Sequence, residues 1–208
     1  MSHRVDIYLI ADDPVPRNNI ATLFDGADFR VREFESTTKF LRLAPSLEPG
    51  YLISDVRSAD NDALPMLENL KAGGLDFRVI LITRKGDVGL AVNAMRVGAA
   101  DVLEWPVTRE SLISIIRRAQ GERGADRSTA ELADVATRRL ALLTPRELDV
   151  LKRLVGGLPN KLIAYDLEIN IRTVEFYRAR TMKKMRAENF SDLIRFALAA
   201  GVRMERNR

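Results

Sequence analysis

Four residues stand where chemistry would concentrate if the short apolar runs before them are strands. Asp12 and Asp13 follow residues 5–10, Asp55 follows residues 51–54, and Thr83 closes residues 78–83. In a doubly wound parallel sheet, working side chains collect just beyond the carboxyl ends of the strands. Carboxylates brought together there repel one another unless a hard cation joins them, and an all-oxygen donor set suits Mg2+. The chemistry such a set serves is transfer of a phosphoryl group onto a carboxylate, with metal neutralising the phosphoryl oxygens. The competing reading is structural: an acid in front of a helix caps it, as Asp13 would before Pro14.

A second chemistry lies in residues 171–186. At 100° per residue, Val174, Tyr177, Thr181 and Met185 form one stripe suited to a core. Phe176, Ala179, Arg180, Lys183 and Arg186 lie opposite, with Glu175 at the margin, and from Arg178 to Arg186 there are five basic residues and no acid. Such a helix fits the groove of duplex DNA: cations neutralise phosphates while side chains near its N-terminus reach base edges. Glu175 would accept from a cytosine amino group and Phe176 would pack on a thymine methyl, each contact worth roughly 1–3 kcal/mol of discrimination. Alone, the same pattern also describes an ordinary amphipathic helix with a charged outer face.

The elements that must position these residues fall into two groups. Through about residue 120, β-branched runs at 5–10, 29–34, 51–54, 78–83 and 100–104 alternate with helical patterns at 16–25, 37–43, 63–72, 88–97 and 109–120. Strict alternation predicts an α/β domain, a flavodoxin-like doubly wound sheet of order 2-1-3-4-5, over residues 1–120. Gly121 and Gly124 mark residues 120–126 as a hinge, and 128–142 reads as helical, so 121–140 is expected to be a partly helical linker. Beyond Leu143 the strand signal ends. Helices at 145–155, 160–167, 171–186 and 191–200 predict an all-α helix-turn-helix domain over 141–208. Thr144, Pro145 and Glu147 form a helix start, Gly156 and Gly157 a stop, and Asn170 a cap for the third helix.

Composition narrows the functions. The chain has 208 residues, no cysteine and one histidine, His3, which removes thiolate sites, disulfides, multi-histidine zinc sites and His-dependent triads. No glycine-rich phosphate loop or nucleophile–base pair is visible, so the chain is not expected to be an enzyme. No apolar run approaches the ~20 residues that span a bilayer, and no signal-peptide pattern opens the chain, so the expectation is a cytoplasmic protein without a membrane partner. The net charge of +4 is uneven: residues 1–124 hold 16 Lys and Arg against 18 Asp and Glu, residues 125–208 hold 17 against 11. A basic second half points to a polyanion.

The C-terminal segments resemble the DNA-binding domain of FixJ/LuxR-type regulators, the NarL/FixJ family. The matching residues are Leu143-Thr144-Pro145-Arg146-Glu147, then Gly157-Leu158-Pro159-Asn160-Lys161-Leu162-Ile163-Ala164, then Ile169 and Thr173-Val174-Glu175. The resemblance implies a third helix in the major groove and a fourth, residues 191–200, pairing with its copy in a homodimer. It assigns Asn160, Lys161, Thr173 and Tyr177 to phosphates and Glu175, Phe176 and Ala179 to bases, while Arg180 and Lys183 lie on the same cationic flank. A histidine usual in the family is Tyr177 here, and a small aliphatic residue is Phe176.

The N-terminal half is similar to the receiver domain of response regulators, carried by Gly86-Asp87-Val88 and Ala94-Met95-Arg96-Val97-Gly98-Ala99. By that resemblance Asp55 is the phosphoacceptor position, Asp12 and Asp55 are the metal ligands for Mg, and Thr83 is the switch hydroxyl. Five departures crowd one pocket. The first acid of the family pair falls on Ala11, the phosphoryl-contacting lysine is Trp105, the small residue after the hydroxyl is Arg84, the switch aromatic is Val102 and an expected proline is Ala59. Arg84 either substitutes for the missing cation or forms an ion pair with Asp55. The favoured reading is a sequence-specific regulator that binds double-stranded DNA and carries an atypical receiver with an impaired phosphoryl switch. The first alternative is a conventional phosphorelay regulator phosphorylated on Asp55 by a histidine kinase. The second is an interaction protein that titrates a partner regulator or kinase. Dimerisation through the receiver is a further expectation from the resemblance, with Leu90, Val92, Met95 and the helix over 109–118 as candidates, although Leu90 and Met95 read better as core.

Overall fold

A computed structural model describes residues 4–26, 28–57, 63–124 and 129–203, and the side chains of these except over 119–130. His3 and Ala59 lie outside the described residues. Residues 1–85 with 96–121 form one compact unit, and residues 86–95 with 122–208 form a second.

Five parallel strands form the first unit's sheet: β1 (Val5–Ile10), β2 (Phe29–Phe34), β3 (Tyr51–Asp55), β4 (Arg78–Thr83) and β5 (Asp101–Glu104), in the order β2-β1-β3-β4-β5. Burial agrees with the order except at β5, an edge strand that is nevertheless buried over residues 101–103. Strands β1, β3 and β4 are buried almost continuously, as strands covered on both faces must be, while β2 alternates and takes an edge. The expected flavodoxin-like order is therefore the one observed.

The helices between them are α1 (Pro14–Ala21), α2 (Thr37–Leu43), α3 (Ala63–Ala72), α4 (Val88–Val97) and α5 (Arg109–Gly124). One core joins Ile7, Leu9, Ile53, Ile80, Ile82 and Leu103 of the sheet to Ile20, Phe24, Leu112, Ile115 and Ile116. Each fully buried aliphatic there contributes about 1.5–3 kcal/mol of transfer free energy. Tyr8, Phe34, Phe40 and Phe77 form a second cluster of tilted and edge-on rings. Two boundaries differ from expectation. Helix α1 starts at Pro14, because Asp13 accepts from Val15 N at 2.9 Å and its structural role as a cap is realised. Helix α5 runs past the expected end at residue 120 to Gly124, since glycine costs a helix only about 1 kcal/mol relative to alanine, and residues 125–126 of the expected hinge lie outside the described residues.

The second unit contains α6 (Thr129–Leu140), α7 (Pro145–Val155), α8 (Asn160–Asp166), α9 (Ile171–Met185) and α10 (Phe190–Ala199). Thr144 and Glu147 make a reciprocal capping box at α7, and Asn170 Oδ1 accepts from Arg172 N at 2.8 Å to start α9. Val150, Leu151, Leu154, Val155, Ile163, Val174, Met185, Leu193, Ile194 and Ala197 are buried. Helix α9 ends one residue earlier than expected, at Met185, since Arg186 turns left-handed with φ +51°. Helix α6 packs on α9 and α10: Arg139 donates to the Met185 carbonyl at 2.9 Å and lies 4.8 Å from the Phe196 ring centroid.

Candidate phosphoacceptor pocket and nucleic-acid interface

The pocket is built from the ends of β3, β4 and β5. Asp55 is the last residue of β3, and its side chain is 5% exposed. Arg57, two residues on, folds back and donates from Nε to Oδ1 at 2.8 Å and from Nη2 to Oδ2 at 2.6 Å. Both carboxylate oxygens are therefore held by one guanidinium in fork geometry, the stronger form of charge-assisted pairing. The same guanidinium lies 3.8 Å from the ring centroid of Trp105, which follows β5. An arginine between a carboxylate and an aromatic face gains from both, and the weak hydration of guanidinium lowers the cost of placing it there. The Asp55 hydrogen bond holds the Arg57 guanidinium protonated above its ordinary range; burial opposes this, and the Asp55 and Asp13 charges reinforce it.

The ion pair of Arg84 with Asp55 is not realised. Arg84 is exposed, and the ion-pair partner of Asp55 is Arg57. Sequence reasoning passed over Arg57 because it follows Asp55 in an unpatterned turn; the usable signal was Trp105, an aromatic face replacing an expected cation. Asp12 is exposed and accepts from Asp13 N at 2.9 Å, while Asp13 is engaged at the head of α1. Ala11 is buried, and its carbonyl accepts from Arg17 Nη1 at 2.8 Å. Thr83 is buried and its hydroxyl donates to the Leu103 carbonyl at 3.4 Å; Val102 is buried. Among the described residues no three acids gather as a metal-holding group.

In the second unit, the stripe of α9 behaves as its spacing predicts. Val174, Thr181 and Met185 are buried and Tyr177 is half-buried, while Glu175, Phe176, Ala179, Arg180 and Lys183 are exposed. Lys161 is exposed; Thr173 and Asn160 are half-buried, and Asn160 Oδ1 has no hydrogen-bond partner within the chain.

One residue missing from the expected interface organises it. Glu147, at 1% exposure, accepts from Thr144 N at 2.8 Å and from Lys184 Nζ at 2.6 Å, and its other oxygen lies 3.2 Å from Arg180 Nε. Burial alone would raise this carboxyl; the hydrogen bonds from Lys184 and Thr144 outweigh it and hold the carboxyl below the ordinary glutamate range. The first turn of α7 is thus bolted to the cationic flank of α9. Arg178 leans on the Phe190 ring at 4.5 Å. The flank is accordingly less free than five basic residues suggest.

A doubly wound sheet with an aspartate ending its third strand, joined to a helix-turn-helix with a basic third helix, defines the response regulators that act on DNA. Residues 7–117 match the response regulator receiver domain family, and residues 141–197 match the luxR family of bacterial regulatory proteins. The chain is 41% identical over 204 residues to transcriptional regulatory protein FixJ of Bradyrhizobium diazoefficiens, covering 97% of this chain and 98% of that protein. It is 38% identical to FixJ of Rhizobium meliloti, covering 94% and 96%. The solved structure of full-length FixJ from B. japonicum is similar at TM-score 0.53 and 40% identity, covering 95% of this chain and 97% of that one. The chain belongs to the FixJ-type response regulators, which are DNA-binding transcriptional regulators and not enzymes. No helix of the described residues is long and apolar enough to cross a membrane.

Proposed function

We propose that this cytoplasmic regulator binds duplex DNA as a homodimer and that its receiver answers weakly or not at all to aspartyl phosphorylation, because Arg57 already fills the pocket. The observation that carries the reading is the two-point clasp of Arg57 on Asp55, backed by Trp105. An incoming phosphoryl group needs one Asp55 oxygen as nucleophile, and both are engaged. The donor set does not suit Mg2+ either: Ala11 stands in place of an acid, Asp13 is engaged as a helix cap, and Asp55 faces a cation. Arg57 supplies from within the chain the positive charge that a metal and a lysine would otherwise bring.

DNA contacts are assigned to Asn160, Lys161, Thr173 and Tyr177 at phosphates and to Glu175, Phe176, Ala179, Arg180 and Lys183 along the groove. The exposure of the outer α9 residues and of Lys161 supports the assignment of an open surface. Residues 191–200 remain the proposed pairing element, with one structural condition: no residue of α10 is exposed, and α6 packs on it. Pairing through α10 therefore requires α6 to give way.

The test uses the single tryptophan as a built-in reporter. Acetyl phosphate or beryllofluoride with Mg2+ is added to the purified full chain while Trp105 emission and intact mass are followed. The expected result is no change in emission or mass for the wild type. Stoichiometric phosphorylation of the wild type, abolished by Asp55→Asn, would establish a conventional phosphorelay regulator and overturn the proposal.

A further inference from the structure

Arg180, on the outer face of α9, has its guanidinium flanked on two sides. Its Nε lies 3.2 Å from Oε1 of Glu147, and its guanidinium carbon lies 5.4 Å from the centroid of the Phe176 ring. Glu147 is itself immobilised by Thr144 N and Lys184, so the anchor does not move. Phe176 sits one helical turn before Arg180 on the same face, is 54% exposed, and is met edge-on by Tyr177 at 5.7 Å. Nε is the guanidinium nitrogen recorded against Glu147, at ion-pair distance, and the two terminal amino groups form the other end of the fork. That end matches O6 and N7 of guanine in the major groove. The exposed ring beside it is an apolar platform of the size a thymine methyl covers.

We propose that Phe176 and Arg180 act as one reading unit for a thymine adjacent to a guanine, with Arg180 donating to guanine O6 and N7 while Phe176 packs on the thymine 5-methyl. Glu147 is the positioning residue of the unit. This inference rests on the reading of α9 as the groove-entering helix. Because Glu147 and Phe176 already flank the guanidinium, less side-chain freedom is lost on contact than for an unflanked arginine, and preorganisation of this kind favours discrimination over bulk attraction. Lys183, with no such brace, serves phosphate.

The test selects tight duplexes for the full-length chain from a randomised pool, then replaces single bases in the selected duplex. Substituting 7-deazaguanine at the guanine removes N7, and the expected loss is roughly tenfold in affinity, within the span of one bidentate pair. Substituting deoxyuridine for the adjacent thymine removes one methyl, and the expected loss is about fourfold. Arg180→Ala is expected to bind both guanine forms equally, and Phe176→Ala to bind thymine and uracil duplexes equally, while each keeps its overall fold by circular dichroism. Glu147→Gln is expected to shrink the guanine discrimination without altering the thymine one. Tight binding to a selected duplex that tolerates uracil and 7-deazaguanine at every position would overturn the reading unit while leaving DNA binding intact. Persistence of the base effects in Arg180→Ala and Phe176→Ala would overturn it equally. Failure to select any duplex at all would overturn both this inference and the DNA-binding reading beneath it.

Discussion

Removing Arg57 leaves the Asp55 carboxylate facing the strand ends without the guanidinium that holds both its oxygens. Two charge-assisted hydrogen bonds, at 2.8 and 2.6 Å, disappear together with the stacking on Trp105. At about 4 Å between charge centres and an effective dielectric near 20, the Coulomb attraction is about 4 kcal/mol. Desolvation opposes it. Exposed pairs measure ~0–1 kcal/mol, and breaking a fully buried one costs about 3–5 kcal/mol. With the carboxylate at 5% and the guanidinium at 20% exposure, the pair falls between these limits. Arg57→Ala is therefore expected to destabilise the receiver by about 2–3 kcal/mol. Asp55→Ala costs less, because the orphaned guanidinium keeps Trp105 and some water. Urea unfolding of the wild type, both single variants and the double variant, followed by Trp105 emission, gives the coupling directly. A coupling above ~1 kcal/mol is expected. A value under ~0.5 kcal/mol would mean that the guanidinium resides in solvent, and the case for an internally filled pocket would fall with it.

Other consequences are open to measurement. The Glu147 carboxyl is held below its ordinary range in the folded chain, so its contribution is complete above the unfolded value and is lost as pH falls through the folded one. Thermal melts from about pH 6 down to about pH 3 should show an acid-side loss of stability that is smaller in Glu147→Gln, and identical slopes would refute the strut. Glu168 sits at φ +55° between α8 and α9, a conformation glycine adopts without steric cost, so Glu168→Gly is expected to stabilise by up to about 1 kcal/mol. A lowered midpoint in urea would contradict that. Arg139→Ala cuts the ties from α6 to Met185 and Phe196, and should raise self-association in sedimentation at fixed concentration; unchanged or weakened association would refute α6 as the cover of α10.

Much of the architecture is local and was legible. Continuous burial of β1, β3 and β4 against alternation in β2 is written in apolar periodicity, which is why the strand order followed from the alternating pattern. Caps are equally local, since Asp13, Thr144 with Glu147, and Asn170 bond to amides within three residues. The stripe on α9 needed only the helical period. Helix α5 continues past its expected end at residue 120 because single glycines weaken a helix without forbidding it.

What amino-acid order settled here was the set of elements and which faces are apolar or cationic. Which charge meets which was left to packing. Arg57 and Arg84 are both long, flexible cations that follow strands ending at the pocket, and no spacing rule separates them; the turn after β3 and the placement of Trp105 after β5 chose Arg57. Glu147 likewise reads as a cap from its neighbours and becomes the anchor of Arg180 and Lys184 only when α7 packs on α9. Short-range hydrogen bonds are written in adjacent residues, whereas ion pairs between long side chains depend on where distant elements put their ends.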